Sequence, residues 1–523
     1  MSDIAGIPAP EARFNIAQHL LAGNAGRPTK AAFVDDQGSL SYAGLEDRAR
    51  RQAAGLRALG IRREERVLLL MHDCTDWPVA FLGCLYAGVV PVCVNTLLTP
   101  ADYAFMLAHS RAQAALVSGA LLATLQAALD AGAHAVREIV VSRTAQELPG
   151  CCRNFEGLLD ASPMAAPADT AADDIAFWLY SSGSTGRPKG TVHSHANPYW
   201  TVETYAKNVL RLSENDVVFS AAKLFFAYGL GNGLSFPLAA GATTVLMAER
   251  PTPAAVFQRL CQHQSTVFYG VPTLYAAMLA APEPPAQGQL ALRVCTSAGE
   301  ALPRQIGERF RKQFGCDVLD GIGSTEMLHI FLSNAPGDVH YGTSGRPVPG
   351  YEIELRGDDG RPSGNDEVGD LFVKGASAAL MYWAQREKSQ ATFQGSWTRS
   401  GDKYSRDAAG IYTYAGRSDD MLKVSGQYVS PFEVEAALIQ HPAVLEAAVV
   451  GDIDADGLTK PKAYVVLKNG HLAATETEAE LKAFVKDKLA PFKYPRRIEF
   501  IAELPKTATG KIQRFKLREL GQA

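Results

Sequence analysis

Apolar positions along the chain follow two alternating periods, and the alternation predicts a fold. After Ser41, a residue able to cap a helix, apolar side chains fall at Leu45, Ala49, Ala53, Leu56 and Leu59, the spacing of one helix face. Arg66 to Met71 is a short apolar run with the pattern of a buried strand. A helix around Val79 to Ala87 leads to a second such run, Pro91 to Asn95. Helix and buried strand in alternation imply parallel strand–helix–strand units covered on both faces. Pro163 to Asp174, rich in Ala, Pro and Asp, is expected as a surface connection, and Ile175 to Leu179 as another strand.

The pattern recurs from Val217 through the β–α segments ending at Arg293 to Glu300 and Asp320 to Glu326. After Gly342 short strands and turns take over, with R-G-D-D-G near 356–360 and G-D-L-F-V-K-G at 369–375, and predict a small β subdomain. The last hundred or so residues predict a compact α+β unit, with strands near 445–450, 463–467 and 498–501. Ser430-P-F-E and Thr477-E-A-E read as capping boxes. The second is expected to open a helix with Leu481, Phe484, Val485 and Leu489 turned inward.

Length and charge narrow the function. The 523 residues exceed one core and call for several domains. Lys and Arg number 51 against 55 for Asp and Glu, and no basic block stands out, which argues against a nucleic-acid partner. The eight cysteines form no C-x-x-C pair and suit reduced thiols better than disulfides or zinc. The first residues lack a signal-peptide pattern. The longest apolar run, Val79 to Val94, falls short of a membrane span, so no membrane partner and a cytoplasmic location are expected.

The most informative stretch is Tyr180 to Gly190, Y-S-S-G-S-T-G-R-P-K-G. Its glycines permit close backbone approach, its hydroxyls and N–H groups can form an anion nest, and Lys189 adds a cation. Composition alone also fits a flexible surface loop, and the spacing is not that of a Walker loop, because Pro188 precedes the lysine and Gly190 follows it. The run instead resembles the phosphate loop of the adenylate-forming superfamily of acyl- and aryl-CoA ligases, adenylation domains and luciferases. S-A-G-E (297–300), G-S-T-E (323–326), S-G-D (400–402), G-R-S-D-D (416–420) and P-K-T-A-T-G-K (505–511) resemble further motifs of that superfamily, in its order.

The resemblance implies a multi-domain α/β protein. A large N-terminal part, residues 1–417, would hold two α/β subdomains and a small β-barrel, and residues 418–523 a mobile α+β domain. It implies that Ser181, Ser182, Gly183, Ser184, Thr185, Gly186 and Lys189 hold the β- and γ-phosphates of ATP. Ala298, Gly299 and Glu300, with Asp320, Gly321, Ile322, Gly323 and Ser324, would complete the nucleotide site. Ile322 stands where many relatives stack an aromatic residue on adenine. Glu326 would help bind Mg²⁺ and Thr325 would lie near the α-phosphate. Asp402 and Arg417 would reach the ribose, Asp419 would be the hinge between domains, and Lys511 would act in adenylation.

For the acid, K-L-F-F-A-Y-G-L-G-N-G and G-S-T-E-M-L-H-I-F resemble the benzoate-CoA ligase branch. This implies a flat pocket of Phe226, Ala227, Tyr228, Gly231, Gly323, His329 and Ile330, with Phe226 in place of the gating histidine of many relatives. The expected reaction joins benzoate and coenzyme A at the expense of ATP through a benzoyl-adenylate, within aromatic acid degradation. Two alternatives stay open: another aryl-CoA ligase for hydroxy-, amino- or fluorobenzoate, or an aryl adenylation domain serving a carrier protein. An amino-acid adenylation domain is disfavoured because Lys223 to Gly231 holds no acid to pair an ammonium. The resemblance also allows a homodimer and a lysine acetyltransferase acting on Lys511.

Overall fold

The computed structural model describes residues 6–144, 146–181, 188–418, 420–424, 427–453, 459–489, 493–506 and 512–520. Contacts divide them into two units: residues up to Ile353 with Val373–Arg399, and Glu354–Phe372 with the chain from Ser400 onward. The chain thus leaves the first unit and returns to it once. The expected boundary between 417 and 418 divides the chain elsewhere: here 354–372 and 400–417 group with the later residues.

The first unit is α/β, as the two periods imply. One sheet of nine strands has a parallel centre, in which Val217–Ser220, Val267–Gly270, Val294–Ser297 and Val318–Gly323 lie side by side. A second sheet of eight strands runs Met381–Tyr382, Lys189–Ser194, Ile175–Ser181, Val90–Cys93, Arg66–Leu70, Ala114–Ser118, Glu138–Ser142 and Cys152–Asn154. It is parallel except at the Lys189 end.

Local chemistry sets the helices. Ser41 caps Tyr42–Ala58 by accepting from Gly44 N–H, and Leu45, Ala49, Ala53 and Leu56 line its buried face. The next helix is Asp76–Ala87, and every one of its residues is buried, so it carries no polar stripe. One continuous apolar cluster joins Phe33 of the first sheet to Leu69 and Phe177 of the second through Leu45, Trp77 and Phe81. Each such side chain contributes about 1.5–3 kcal/mol by burial. The stretch 163–174 is less free than a surface connection: Ala168 N–H donates to Tyr86 O, and Phe14 N–H donates to Thr170 O.

In the second unit, the β subdomain is a sheet in which residues 402–406 pair antiparallel with Tyr412–Arg417. Beyond it, Val444–Ile453, Thr459–Leu467 and Arg497–Phe500 form a three-stranded sheet with the helices Pro431–Ile439, Thr475–Lys488 and Arg514–Leu520. Ser430 caps its helix by accepting from Glu433 N–H. The Glu433 carboxylate turns to Lys493 instead of closing a box. The Thr477 box does not form: the helix begins at Thr475, and the Thr477 hydroxyl, already inside it, donates to Leu472 O. Phe484 is only half-buried and meets His441 edge-on. Among the described residues no helix is long and apolar enough to cross a membrane.

Candidate active site

The strand Ile175–Ser181 turns back antiparallel as Lys189–Ser194, with Ser181 opposite Lys189. These two residues mark the ends of the expected phosphate loop. Ser182, Gly183, Ser184, Thr185 and Gly186 lie outside the described residues. The Ser181 hydroxyl is buried without a hydrogen-bond partner among the described residues. Lys189 Nζ donates to the Tyr382 hydroxyl at 3.2 Å and lies 4.3 Å over its ring.

A parallel pair of strand ends supplies the next groups. Ser297, which ends one strand, pairs in register with Asp320, and both are buried. Ala298 is buried beyond it, Gly299 adopts φ 93°, and Glu300 is half-buried. Burial pushes the Asp320 carboxyl well above the usual carboxylate range. One Asp320 oxygen, Oδ1, has no partner among the described residues.

From Asp320 the chain makes a hairpin. Gly321 pairs with Ser333, Ile322 with Leu332 and Gly323 with Ile330, so Ser324 to His329 form the turn. A Cβ on Gly323 would lie 2.5 Å from His329 O, which explains the glycine. Ser324 Oγ accepts from Met327 N–H at 3.1 Å, and Thr325 O accepts from Leu328 N–H. Glu326, on the same turn, accepts from the Tyr382 hydroxyl at 2.7 Å and lies 3.7 Å from Lys189 Nζ. The turn therefore brings together the cation and the carboxylate expected to handle a triphosphate and its metal.

The far end of the turn enters an aromatic cluster. His329 is buried among Tyr205, Tyr228 and Phe236, with ring centroids 5.3, 5.6 and 4.5 Å away. Its Nε2 meets Asn232 Oδ1 at 3.1 Å, and since a carbonyl oxygen only accepts, the proton sits on Nε2. Among the described residues Nδ1 has no partner, nor has Asn232 Nδ2. Burial pushes the imidazole down to about 3, so it is neutral at pH 7.

Tyr228 bonds Thr296 Oγ1 at 2.5 Å. Phe226 precedes the helix Ala227–Leu230 and packs 4.6 Å from Phe225, while buried Asp73 accepts from the neighbouring Leu224 N–H. Ile330 is buried on the hairpin strand. Gly231 packs directly against the His329 ring, which occupies the space a Cβ there would need.

In the second unit Asp402 and Arg417 are in register on paired strands, and Arg417 Nη1 lies 3.0 Å from Asp402 Oδ1. Asp419 lies outside the described residues, as does Lys511. Lys506 and Ile512, on either side of Lys511, form an antiparallel bridge.

Tyr382, Asn232, Tyr205 and Phe236 were not expected from the sequence. Asn232 sits in the motif G-N-G and offered a signal, a polar residue inside an apolar helix. Tyr382 offered none, because its partners lie 56 and 193 positions away.

Comparison with known proteins shows the family. Residues 21–383 match the AMP-binding enzyme family and residues 433–511 the AMP-binding enzyme C-terminal domain. A benzoate–CoA ligase of Thauera aromatica is 57% identical over 98% of this chain and 97% of its own length. A 4-hydroxybenzoate–CoA/benzoate–CoA ligase of Rhodopseudomonas palustris is 48% identical over 95% and 92%. The crystal structure of a benzoate CoA ligase from Burkholderia xenovorans superposes with a TM-score of 0.90 at 62% identity, covering 97% of this chain and 100% of that one. Fold, motif order and full-length similarity thus agree, and the chain belongs to the AMP-binding enzyme family.

Proposed function

We propose that the protein is an AMP-forming benzoate–CoA ligase: benzoate, ATP and coenzyme A give benzoyl-CoA, AMP and diphosphate. One observation carries this reading. The turn Ser324 to His329 presents Glu326 beside Lys189 and ends in the aromatic cluster around His329, so groups for a triphosphate and for a ring share six residues. The similarity to benzoate–CoA ligases supports the same acid.

The residues present fit a magnesium ion. Among the described residues no group of three or more His, Cys, Asp or Glu could hold a metal alone. Glu326 is a single, largely buried carboxylate, which suits an ion that takes the rest of its shell from phosphates and water. Bound there, the ion would spread the charge of the triphosphate. Ser181, Lys189 and the loop residues Ser182 to Gly186 hold the β- and γ-phosphates. Ala298 to Glu300 and Asp320 to Ser324 take the base, and Asp402 with Arg417 the ribose.

Benzoate, a carboxylic acid, is already ionised at pH 7. Its carboxylate attacks the α-phosphorus, the bond to diphosphate breaks, and benzoyl-adenylate forms. The thiol of coenzyme A then attacks the carbonyl, AMP leaves and the thiol proton passes to solvent. No general base starts the reaction, so the protein supplies position and charge. Thr325 lies at the α-phosphate, and Lys511 neutralises the charge that develops there. Asp419 is the hinge between domains, and residues 418–523 are the mobile one. A cytoplasmic setting suits the cysteines, all of which are free thiols.

The test is a two-stage assay. Benzoate and ATP should release diphosphate, and AMP with an aryl thioester should follow only when coenzyme A is added. Hydrolysis of ATP to ADP, or no response to any aromatic acid, would overturn the proposal.

A further inference from the structure

Lys189 and Glu326 carry opposite charges, and both side chains are largely withdrawn from solvent, at 18% and 15% exposure. Two such groups free to meet settle into a charge-assisted hydrogen bond of about 2.8 Å. Here Nζ and Oε1 stand 3.7 Å apart. The Tyr382 hydroxyl intervenes: it accepts from Lys189 Nζ at 3.2 Å and donates to Glu326 Oε1 at 2.7 Å. Its ring also lies under the ammonium, a cation–π contact.

The backbone fixes where this hydroxyl sits. Tyr382 lies on the two-residue strand that pairs with Lys189–Ser194, in register with Thr191. Its N–H donates to Ser389 Oγ, and its ring packs 5.3 Å from Phe393. The same segment clasps the turn that bears Glu326. Ala379 N–H donates to Glu326 O at 2.7 Å, and the Ser377 hydroxyl donates to Met327 O at 2.8 Å. Tyr382 therefore belongs to a clamp between the Lys189 strand and the Glu326 turn.

We infer that Tyr382 is a positioning residue for the nucleotide step, resting on the ligase reading above. Its hydroxyl keeps Lys189 and Glu326 apart and separately available. A phosphate oxygen can then take the lysine, and a divalent cation the carboxylate, without first breaking a direct ion pair. Without the hydroxyl the two charges close on each other across a site with little water to screen them, and both ligands must compete with that pair.

Tyr382→Phe keeps the ring, its packing on Phe393 and the cation–π contact, and removes the hydroxyl that bridges Lys189 and Glu326. The full-length variant is titrated calorimetrically with MgATP without any acid, and its Mg²⁺ dependence is followed in benzoate-dependent diphosphate exchange. The MgATP affinity should weaken about tenfold and the half-saturating Mg²⁺ rise by a similar factor. The KM for benzoate, the melting temperature and the rate of thioester formation from supplied benzoyl-adenylate should stay unchanged.

A second variant separates spacing from structure. In a Lys189→Ala background no ammonium remains to close on Glu326, so adding Tyr382→Phe should shift half-saturating Mg²⁺ less than about twofold. Unchanged MgATP affinity in the single variant, equal losses in both half-reactions, or a full shift in the Lys189→Ala background would each overturn the inference. Absence of exchange by the wild type with every aromatic acid would instead overturn the ligase reading, and the MgATP titration would still decide the role of Tyr382.

Discussion

The His329 imidazole fills the space into which a side chain on Gly231 would grow: a Cβ there would lie 2.4 Å from Cδ2 and 2.7 Å from Nε2. The ring itself is hemmed in by Phe236, Tyr205 and Tyr228, so it has little room to yield. Gly231→Ala should therefore push His329 toward the proposed acid site at a cost of about 1–3 kcal/mol. Steady-state kinetics should show KM for benzoate raised about tenfold and KM for ATP unchanged. Equal changes in both would show that the strain is not confined to the acid site.

Among the described residues His329 Nδ1 and Asn232 Nδ2 are buried without partners. Such atoms discriminate between ring substituents by what they leave unpaired. His329→Ala should reorder relative kcat/KM among para-substituted benzoates, with individual shifts of about tenfold. An unchanged ranking would remove His329 from the acid site.

His195 offers a pH test away from the chemistry. Its Nδ1 accepts from Ile16 N–H at 3.3 Å, and burial pushes the imidazole down to about 4. The unfolded chain takes up this proton near pH 6.5 and the folded one only near pH 4, so the stability from this residue is lost as pH falls through that window. The loss is about 1.4 kcal/mol per pH unit. Measured against wild type by denaturant unfolding, His195→Gln should lose its disadvantage as pH falls from 7 to 5. A constant difference would mean that His195 does not titrate in this way.

In the second unit Glu435 is buried, accepts from Val449 N–H at 2.7 Å, and receives Arg514 Nη2 on both oxygens at 2.8 and 2.7 Å. Arg514→Met leaves the carboxylate buried without its cation and should cost about 3–5 kcal/mol. Glu435→Leu combined with Arg514→Met should recover part of that loss. Chemical unfolding of the full chain measures both, and a double variant no better than the single would refute the pairing argument.

Lys511→Ala tests the proposed division of labour between the two steps. Benzoate-dependent diphosphate exchange should fall about a hundred- to a thousand-fold, the usual cost of one donor to developing charge. Thioester formation from supplied benzoyl-adenylate should be largely retained. Equal losses in the two assays would assign Lys511 to neither step in particular.

Much of the architecture was legible because it is written locally. The Ser41 cap, the face from Leu45 to Leu56 and the strand from Ile175 need only neighbouring residues to be recognised. Thr477 misled because a Glu three residues on marks a cap only if the chain is not yet helical, and here the helix starts at Thr475. Gly231 reads as empty space in a sequence, and only the approach of His329, 98 positions later, shows what uses it. Tyr382 was illegible for the same reason. Its chemistry comes from strand pairing with Thr191 and from a turn that carries Glu326.

The return of the chain at Val373–Arg399 has a consequence for synthesis. The Lys189 strand emerges from the ribosome nearly two hundred residues ahead of the tyrosine that partners it. A fragment ending at Ile353 lacks that edge strand, so shortening the protein at the first gap between its units would remove Tyr382 from beside Glu326. On the role inferred for Tyr382, the proposed nucleotide site is therefore completed late, after much of the surrounding scaffold has already been made.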